Sequence, residues 1–302
     1  MDSLRISLTG ATGLIGGRLL VRLQEAGARI RVVGRRPVGG GEFCSWDLLG
    51  PEPDPACWEG AEAVVHLAGE PIAGRLWTRA VRDRIRRSRV EGTRNLVESL
   101  RRCRVRPRIL VAASAVGYYG SRGEELLDEA APPGTGFLAE VCRAWEAAAA
   151  EAAELGIRVV HLRIGIVLAR EGGFLPSLLP LFRRGLGARL GDGKQFLPWI
   201  HIRDLVNLVL TVLRDERYSG AVSAVAPNPV TNAEFTRCLS RLLRRPALLR
   251  VPKTLLRLAG PMGRELLLAG QRAVPAKALS LGFRFEFPEL EPALRELLQE
   301  EA

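Results

Sequence analysis

Residues 8–16 read Leu8-Thr9-Gly10-Ala11-Thr12-Gly13-Leu14-Ile15-Gly16, so three glycines fall three apart between the apolar run Leu4–Leu8 and the helical run Leu19-Leu20-Val21-Arg22-Leu23. A strand that delivers backbone N–H groups to a helix N-terminus makes an anion site, and missing side chains let a pyrophosphate approach the peptide planes. Gly10 suits the tight turn, Gly13 the close approach of a phosphate and Gly16 the packing of helix on strand. Gly10, Thr12, Gly13, Leu14, Ile15 and Gly16 are therefore the candidate contacts of a dinucleotide.

A glycine triplet alone is a weak signal in a chain with 32 glycines. Its context strengthens it. The helix after Gly13 runs about three turns to Gly27, a C-terminal stop, and Ile30-Arg31-Val32-Val33 follows at once, completing a β-α-β unit. An NAD-preferring unit carries an acidic residue near the end of its second strand, where it accepts from the ribose hydroxyls. Here Gly34-Arg35-Arg36 takes that place. Planar guanidiniums bind a 2′-phosphate bidentately, so Arg35 and Arg36 point to NADP(H), with Arg35 the foremost contact. The competing reading is a solvated basic turn.

The 302-residue chain has a net charge of +11, almost all from arginine, with lysine only at Lys194, Lys253 and Lys277. The densest stretch, Arg75 to Arg108, spaces Val81, Ile85, Val90, Leu96, Val97 and Leu100 helically, which reads as a solvated helix face and not a nucleic-acid surface. Cys44, Cys57, Cys103, Cys142 and Cys238 are odd in number and lack Cys-x-x-Cys spacing, so ordinary buried thiols of a reduced compartment are expected. His66, His161 and His201 lie far apart without carboxylates at ligand spacing, and no metal site is expected. The chain enters a strand within a few residues, and its longest apolar candidate, Leu205–Leu213, is too short for a membrane span. A soluble, cytoplasmic protein with no membrane partner is expected.

Strand-like runs recur at 4–9, 30–34, 63–67, 108–113, 157–162 and 221–225, separated by helical segments at 14–26, 78–102 and 138–155. This alternation argues an α/β fold with a doubly wound parallel sheet. Gly156 ends the helix rich in alanine and glutamate, Asp204 reads as an N-cap, and Thr231-Asn232-Ala233-Glu234 is a capping box. Gly/Pro-rich stretches at 170–198 and 226–230 read as excursions from the sheet. The expected division is a nucleotide-binding domain at 1–165, to which 199–225 returns, and a smaller C-terminal substrate lobe from 166–198 and 226–302.

Gly10-Ala-Thr-Gly-Leu-Ile-Gly16, His66-Leu-Ala-Gly69, Ser114-Ala-Val-Gly-Tyr-Tyr-Gly120 and Trp199-Ile-His-Ile-Arg-Asp204 resemble the extended short-chain dehydrogenase/reductases, which have a Rossmann sheet. More narrowly, Glu70-Pro-Ile, Ser88-Arg89, Phe137-Leu-Ala-Glu, Trp145-Glu146, Arg163-Ile-Gly165, Pro227-Asn-Pro-Val-Thr-Asn-Ala-Glu-Phe235 and Gly282-Phe283 resemble the atypical "epimerase family" branch, whose C-terminal domain has no assigned function. The resemblance spans nearly the whole chain. It implies that Asp47 and Leu48 meet the adenine and that His66, Leu67, Ala68 and Gly69 form the strand-end loop along the cofactor.

Usual members of the resembled family work through a tyrosine and a lysine four residues later, the lysine lowering the phenol pKa. This chain has tyrosine only at 118, 119 and 218, and Gly136-Phe137-Leu138-Ala139-Glu140-Val141-Cys142 supplies neither residue. Replacement candidates are Ser114, Tyr118 and Tyr119 in the loop after the fourth of these strands. Glu70 and Glu140 are candidate carboxylate bases, and Arg143 a holder of an anionic substrate group. Gln195, Trp199 and His201 match the stretch that lines the substrate pocket in extended members. For Ser114, Tyr118, Tyr119, Glu70, Glu140 and Arg143 the structural reading comes first, a satisfied loop or helix contact, and for Gln195, Trp199 and His201 the two readings stand level.

Two functions stay open. One is an NADP(H)-dependent oxidoreductase or epimerase-like enzyme on a small polar substrate with an unconventional proton donor. The other is a non-catalytic NADP(H)-binding regulatory or partner-docking protein, a reading to which relatives linked with cell division lend support. Helices 78–102 and 138–155 resemble those that pair subunits in extended members, which leaves a homodimer open.

Overall fold

The computed structural model describes residues 4–39, 41–74 and 76–299, which fall into two compact units. Unit 1 comprises 1–114, 141–162 and 206–222, and unit 2 comprises 115–140, 163–205 and 223–302.

Unit 1 is built on a seven-stranded sheet: β1 (Arg5–Thr9), β2 (Arg29–Gly34), β3 (Glu42–Ser45), β4 (Ala63–His66), β5 (Ile109–Ala115), β6 (Arg158–Ile164) and β7 (Gly220–Ala224). Their order is β7-β6-β5-β4-β1-β2-β3, and the pairs from β3 through β5 are parallel. The chain leaves β1 toward β2 and β3, then returns to lay β4 on the other side of β1. That reversal opens a crevice at the carboxyl ends of β1 and β4, where doubly wound sheets bind ligands. β4 is buried along its whole length, as a central parallel strand covered on both faces must be.

The crossovers are α1 (Leu14–Glu25), α2 (Arg79–Arg101) and α3 (Phe137–Ala150). Gly27, at φ +76°, takes the left-handed turn after α1, as the sequence predicts. α2 buries Ile85, Val90, Leu96, Val97 and Leu100 while Arg87 pairs with Glu91 on its outer face, so its arginines are largely a solvated face. Arg75, the first of that stretch, lies outside the described residues. α3 gives way to a 3-10 turn, Glu151–Leu155, before the left-handed Gly156.

β3 has no counterpart among the runs read from the sequence. Its mostly exposed edge position leaves no apolar pattern. It also overturns one expectation: β3 carries Cys44 alongside Cys57 of the turn Pro55–Cys57, and the two form a disulfide. The remaining cysteines, Cys103, Cys142 and Cys238, are buried thiols.

Unit 2 has its own core around Leu175, Trp199, Phe235, Leu239 and Leu294. Trp199–His201 pairs in parallel with Ile166–Leu168, and Phe196–Leu197 pairs antiparallel with Val230–Thr231. The capping box is present as read: Thr231 accepts from the Glu234 amide while Glu234 accepts from the Thr231 amide. The N-cap expectation at Asp204 fails, because α4 (Phe174–Arg183) is followed by an α5 that already begins at Ile202 (Ile202–Arg214). Asp204 sits inside the first turn, and its carboxylate accepts instead from the amides of Glu286 (2.7 Å) and Phe287 (2.9 Å). No helix among the described residues is long and apolar enough to cross a membrane.

Candidate functional site

The glycine loop has the geometry its spacing predicts. Gly10 has φ +74°, and a Cβ there would fall 2.8 Å from the Leu67 carbonyl carbon, so the loop after β4 lies directly on the turn after β1. A Cβ on Gly16 would fall 2.2 Å from the Gly10 oxygen, which fixes how closely α1 approaches the turn. Gly13 is the N-cap of α1, and no side chain caps the helix. Thr12 and Gly13 are exposed, and Leu14 and Ile15 half-buried. The first-turn amides, left without a capping side chain, carry the positive end of the helix dipole.

Arg35 and Arg36 are exposed just beyond β2 and have no hydrogen-bond or ion-pair partner among the described residues. Asp47 forms a turn, its carboxylate accepting from the Leu49 amide at 3.2 Å. Leu48 packs over Gly92 of α2, where a Cβ would meet Leu48 at 2.6 Å. An uncapped helix start, a turn stripped of Cβ atoms and two unpaired guanidiniums beside the second strand fit a dinucleotide carrying a 2′-phosphate.

His66 faces inward. It is fully buried, its Nδ1 lies 2.8 Å from Thr9 Oγ1 and its Nε2 3.1 Å from Thr93 Oγ1. Burial lowers its pKa from 6.5 to about 4. The Thr9 hydroxyl also accepts from the amides of Leu67 (3.1 Å) and Ala68 (3.2 Å). His66 therefore shapes the strand-end loop from below, its ring closed to solvent.

Beyond that loop, Glu70 is anchored by its backbone: its amide donates to Ser88 Oγ and its carbonyl accepts from Arg89 Nη1 at 2.9 Å. Its carboxylate lies 3.6 Å from Arg84. The Arg89 guanidinium lies against the bare face of Gly69, where a Cβ would sit 3.4 Å from Cζ, and 5.2 Å from the centre of the Trp145 ring. Burial pushes its pKa down.

Ser114, at the end of β5, is 3% exposed and donates to Glu146 Oε1 at 2.6 Å. Glu146 and Arg89 are the site residues that the sequence analysis did not single out. Both stand inside motifs it quoted, Trp145-Glu146 and Ser88-Arg89, but a spacing cannot reveal that α3 turns Glu146 toward β5. Glu140, the base expected on that helix, is exposed, and no side chain partners it among the described residues. That corrects its assignment, since an exposed carboxylate lacks the burial that tunes a base near neutral pH. Arg143 is exposed and has no hydrogen-bond or ion-pair partner for its side chain among the described residues.

In unit 2, the two tyrosines divide. Tyr119 is fully buried, its hydroxyl 3.1 Å from Ser223 Oγ and accepting from Arg163 Nη1 at 3.2 Å. Burial raises its pKa, and the enclosed hydroxyl is not open to a substrate, which corrects the assignment of Tyr119. Tyr118 is half-buried, with the Arg163 guanidinium 3.5 Å above its ring and its hydroxyl unbonded among the described residues.

Trp199 and His201 are likewise core residues. Trp199 is 1% exposed and donates to the Asn228 carbonyl. His201 is fully buried against Phe287. Its Nδ1 accepts from the Arg203 amide, so Nε2 donates to Glu296, and burial lowers its pKa against the pull of Glu296. Neither side chain is open to a substrate. Gln195 gives its amide N–H groups to the carbonyls of Leu190 and Leu267.

Residues 6–224 match the NAD dependent epimerase/dehydratase family, and residues 251–297 match a domain of unknown function, DUF1731. The chain is 39% identical to the chloroplastic epimerase family protein SDR39U1 homolog of Arabidopsis thaliana, over 99% of this chain and 88% of that one. It is 31% identical to epimerase family protein YfhF of Bacillus subtilis, over 98% of each. The crystal structure of human epimerase family protein SDR39U1 with NADPH superposes at a TM-score of 0.87 and 33% identity, over 97% of this chain and 98% of that one.

Proposed function

Because the chain belongs to the NAD dependent epimerase/dehydratase family, we propose that it binds NADP(H) at the Gly10–Gly16 loop and acts as an atypical oxidoreductase or epimerase-like enzyme on a small polar substrate. The observation that carries the cofactor half is the pair Arg35 and Arg36, unpaired among the described residues and beside β2, where an NAD site would hold a carboxylate. The human relative crystallised with NADPH supports it.

NADPH, when bound, supplies hydride, and the chain's residues supply the proton path. With no Tyr-x-x-x-Lys pair, the contact that carries the chemical half is Ser114 Oγ to Glu146 at 2.6 Å. In the oxidative direction the Glu146 carboxylate takes the Ser114 proton as the Ser114 oxygen takes that of a substrate hydroxyl. Reduction runs the same path backwards. A positioned acid–base group contributes about 10²–10⁴ in rate.

Thermal unfolding with NADPH, NADP⁺, NADH and no ligand tests the cofactor half, since binding to the native state alone stabilises by about 2.7 kcal/mol at a hundredfold excess over Kd. A substrate screen on wild type, Ser114→Ala and Glu146→Gln tests the rest. Turnover that both variants abolish supports the enzyme. The second reading, a non-catalytic NADP(H)-binding protein, is favoured by the buried Tyr119 and the missing lysine. Cofactor binding without turnover across the screen would support it.

A further inference from the structure

Segment 244–258 of unit 2 turns both cations and leucines outward. It contains the strand Leu249–Val251, which pairs in parallel with Ala188–Leu190, and the short helix Lys253–Arg257. Both strands lie in stretches without a single Asp or Glu, 172–191 and 235–264, which hold ten arginines and one lysine between them. Most of that excess is not neutralised by the fold. Arg244, Arg245, Arg257 and Arg264 are exposed, and their side chains have no hydrogen-bond or ion-pair partner among the described residues. Acid from elsewhere reaches Lys253, 2.6 Å from Asp192, and Arg241, 2.7 Å from Glu291.

The leucines of the same region include the two most exposed large apolar residues described, Leu248 at 89% and Leu258 at 82%. Leu186, Leu249 and Leu255 are about half exposed. Leu249 stands opposite Ala188, so Leu248 and Leu186 flank the same end of the strand pair. Leu255 and Leu258, three residues apart, share a face of the helix and its last turn, while Leu256 between them is buried. A lone exposed leucine is ordinary, but five of them among unpaired cations and away from acid mark an interaction surface.

Charge and shape choose its occupant. A second copy of the chain would bring the same cations against these, and like charges repel. A nucleic acid would meet the arginines but offer nothing to the leucines, and residues 237–264 contain no aromatic side chain to stack on a base. An acidic protein would need a fitted pocket for each leucine, because Leu248 and Leu258 stand almost wholly clear of their surroundings. An anionic bilayer meets both requirements without any shape to match. Its headgroups carry negative charge for the guanidiniums, and the boundary with its acyl chains takes protruding leucines.

We propose that segment 244–258 docks unit 2 on an anionic lipid surface, with Leu248, Leu255 and Leu258 entering the headgroup boundary and Arg244, Arg245 and Arg257 lying at the level of the lipid phosphates. Such contact is peripheral and needs no spanning helix. It replaces the expectation of a chain without a membrane partner, and it does not depend on the cofactor reading above.

The test is flotation of the full chain with vesicles of phosphatidylcholine alone and of equal parts phosphatidylcholine and phosphatidylglycerol. Wild type is expected to float with the anionic vesicles only, and less so as salt rises, because exposed guanidiniums are screened. Replacing Leu248→Ser and Leu258→Ser together leaves the charge unchanged and should weaken binding about tenfold or more. Arg244→Gln and Arg245→Gln should each weaken it about fivefold. All four positions are exposed, so the variants should keep the wild-type urea midpoint, and either set keeps the test open should the other fail to fold. Wild type that stays unbound overturns the proposal and leaves an acidic protein as the occupant. Equal flotation with neutral vesicles overturns it as well, and so does a leucine variant that binds like wild type, since the contact would then be charge alone.

Discussion

Thr9 Oγ1 and His66 Nδ1 lie 2.8 Å apart in the interior of unit 1, and the direction of that hydrogen bond is fixed by their neighbours. Thr9 already accepts from the amides of Leu67 and Ala68, so both its lone pairs are taken and its proton points at His66. His66 is thus the Nε2–H tautomer, donating to Thr93 Oγ1, which also accepts from Trp145 Nε1. One buried chain of hydrogen bonds ties β1, β4, α2 and α3 beneath the cofactor loop.

That chain needs a neutral imidazole, which makes stability depend on pH. The native His66 pKa is about 4 against an ordinary 6.5, so the unfolded chain binds the extra proton first as pH falls. The stabilisation is complete above pH 6.5 and is lost progressively down to about 4, by about 3 kcal/mol in all. Urea midpoints from pH 7.5 to 4 should fall more steeply for wild type than for His66→Gln. Parallel profiles would assign the loss to other groups, His201 first.

The glycine loop makes a contrast that needs no ligand. A Cβ on Gly16 would meet the Gly10 oxygen at 2.2 Å, whereas one on Gly34 would meet nothing within 4 Å. Gly16→Ala should destabilise by about 3 kcal/mol and remove NADPH binding, since the backbone that must yield is the phosphate turn. Gly34→Ala should stay within about 0.5 kcal/mol of wild type. Equal unfolding midpoints for the two variants would contradict this packing.

The fold was legible because its signals are local. The glycine spacing, the stops at Gly27 and Gly156 and the box at Thr231–Glu234 each express a backbone requirement within a few residues. Of the proposed proton path, Ser114 was named from the sequence and Glu146 was not, because its meaning lies in who faces whom. Glu140 and Glu146 are both carboxylates on α3, and only the fold tells that Glu146 reaches Ser114 while Glu140 is exposed. Tyr118 and Tyr119 are adjacent in sequence, yet one is half-buried and the other fully buried, for the same reason. Trp199, His201 and Asp204 read as a pocket and a cap, but each is consumed by the core of unit 2.

The Cys44–Cys57 bond closes a loop of sequence separation 13 between β3 and the turn before β4. A cross-link of that size stabilises by about 3 kcal/mol through the unfolded chain. Dithiothreitol should therefore lower the unfolding midpoint of wild type, and leave that of a Cys44→Ser, Cys57→Ser double variant unchanged. A wild-type midpoint insensitive to reductant would show that the bond contributes nothing to stability.

Asp204 holds two backbone donors at once, the amides of Glu286 and Phe287, although burial raises its pKa. Asn offers one acceptor oxygen and turns a second donor toward an N–H. Asp204→Asn should lose about 1–3 kcal/mol of stability. The loss should be read by denaturant unfolding, and a variant as stable as wild type would mean that segment 286–287 is held by its packing alone.

Arg35 and Arg36 face solvent with no partner among the described residues, so replacing them removes no contact seen there. Their contribution should appear only with a phosphorylated cofactor. Arg35→Ala should weaken NADPH about tenfold or more, equivalent to about 1.4 kcal/mol, with a smaller loss for Arg36→Ala. NADH affinity should be unchanged in both, and NADPH binding to wild type should weaken as salt rises because an exposed guanidinium and a 2′-phosphate are screened. The check is a calorimetric titration of each cofactor at two ionic strengths. Equal losses for NADPH and NADH would place both arginines away from the 2′-phosphate and return this turn to a solvated role.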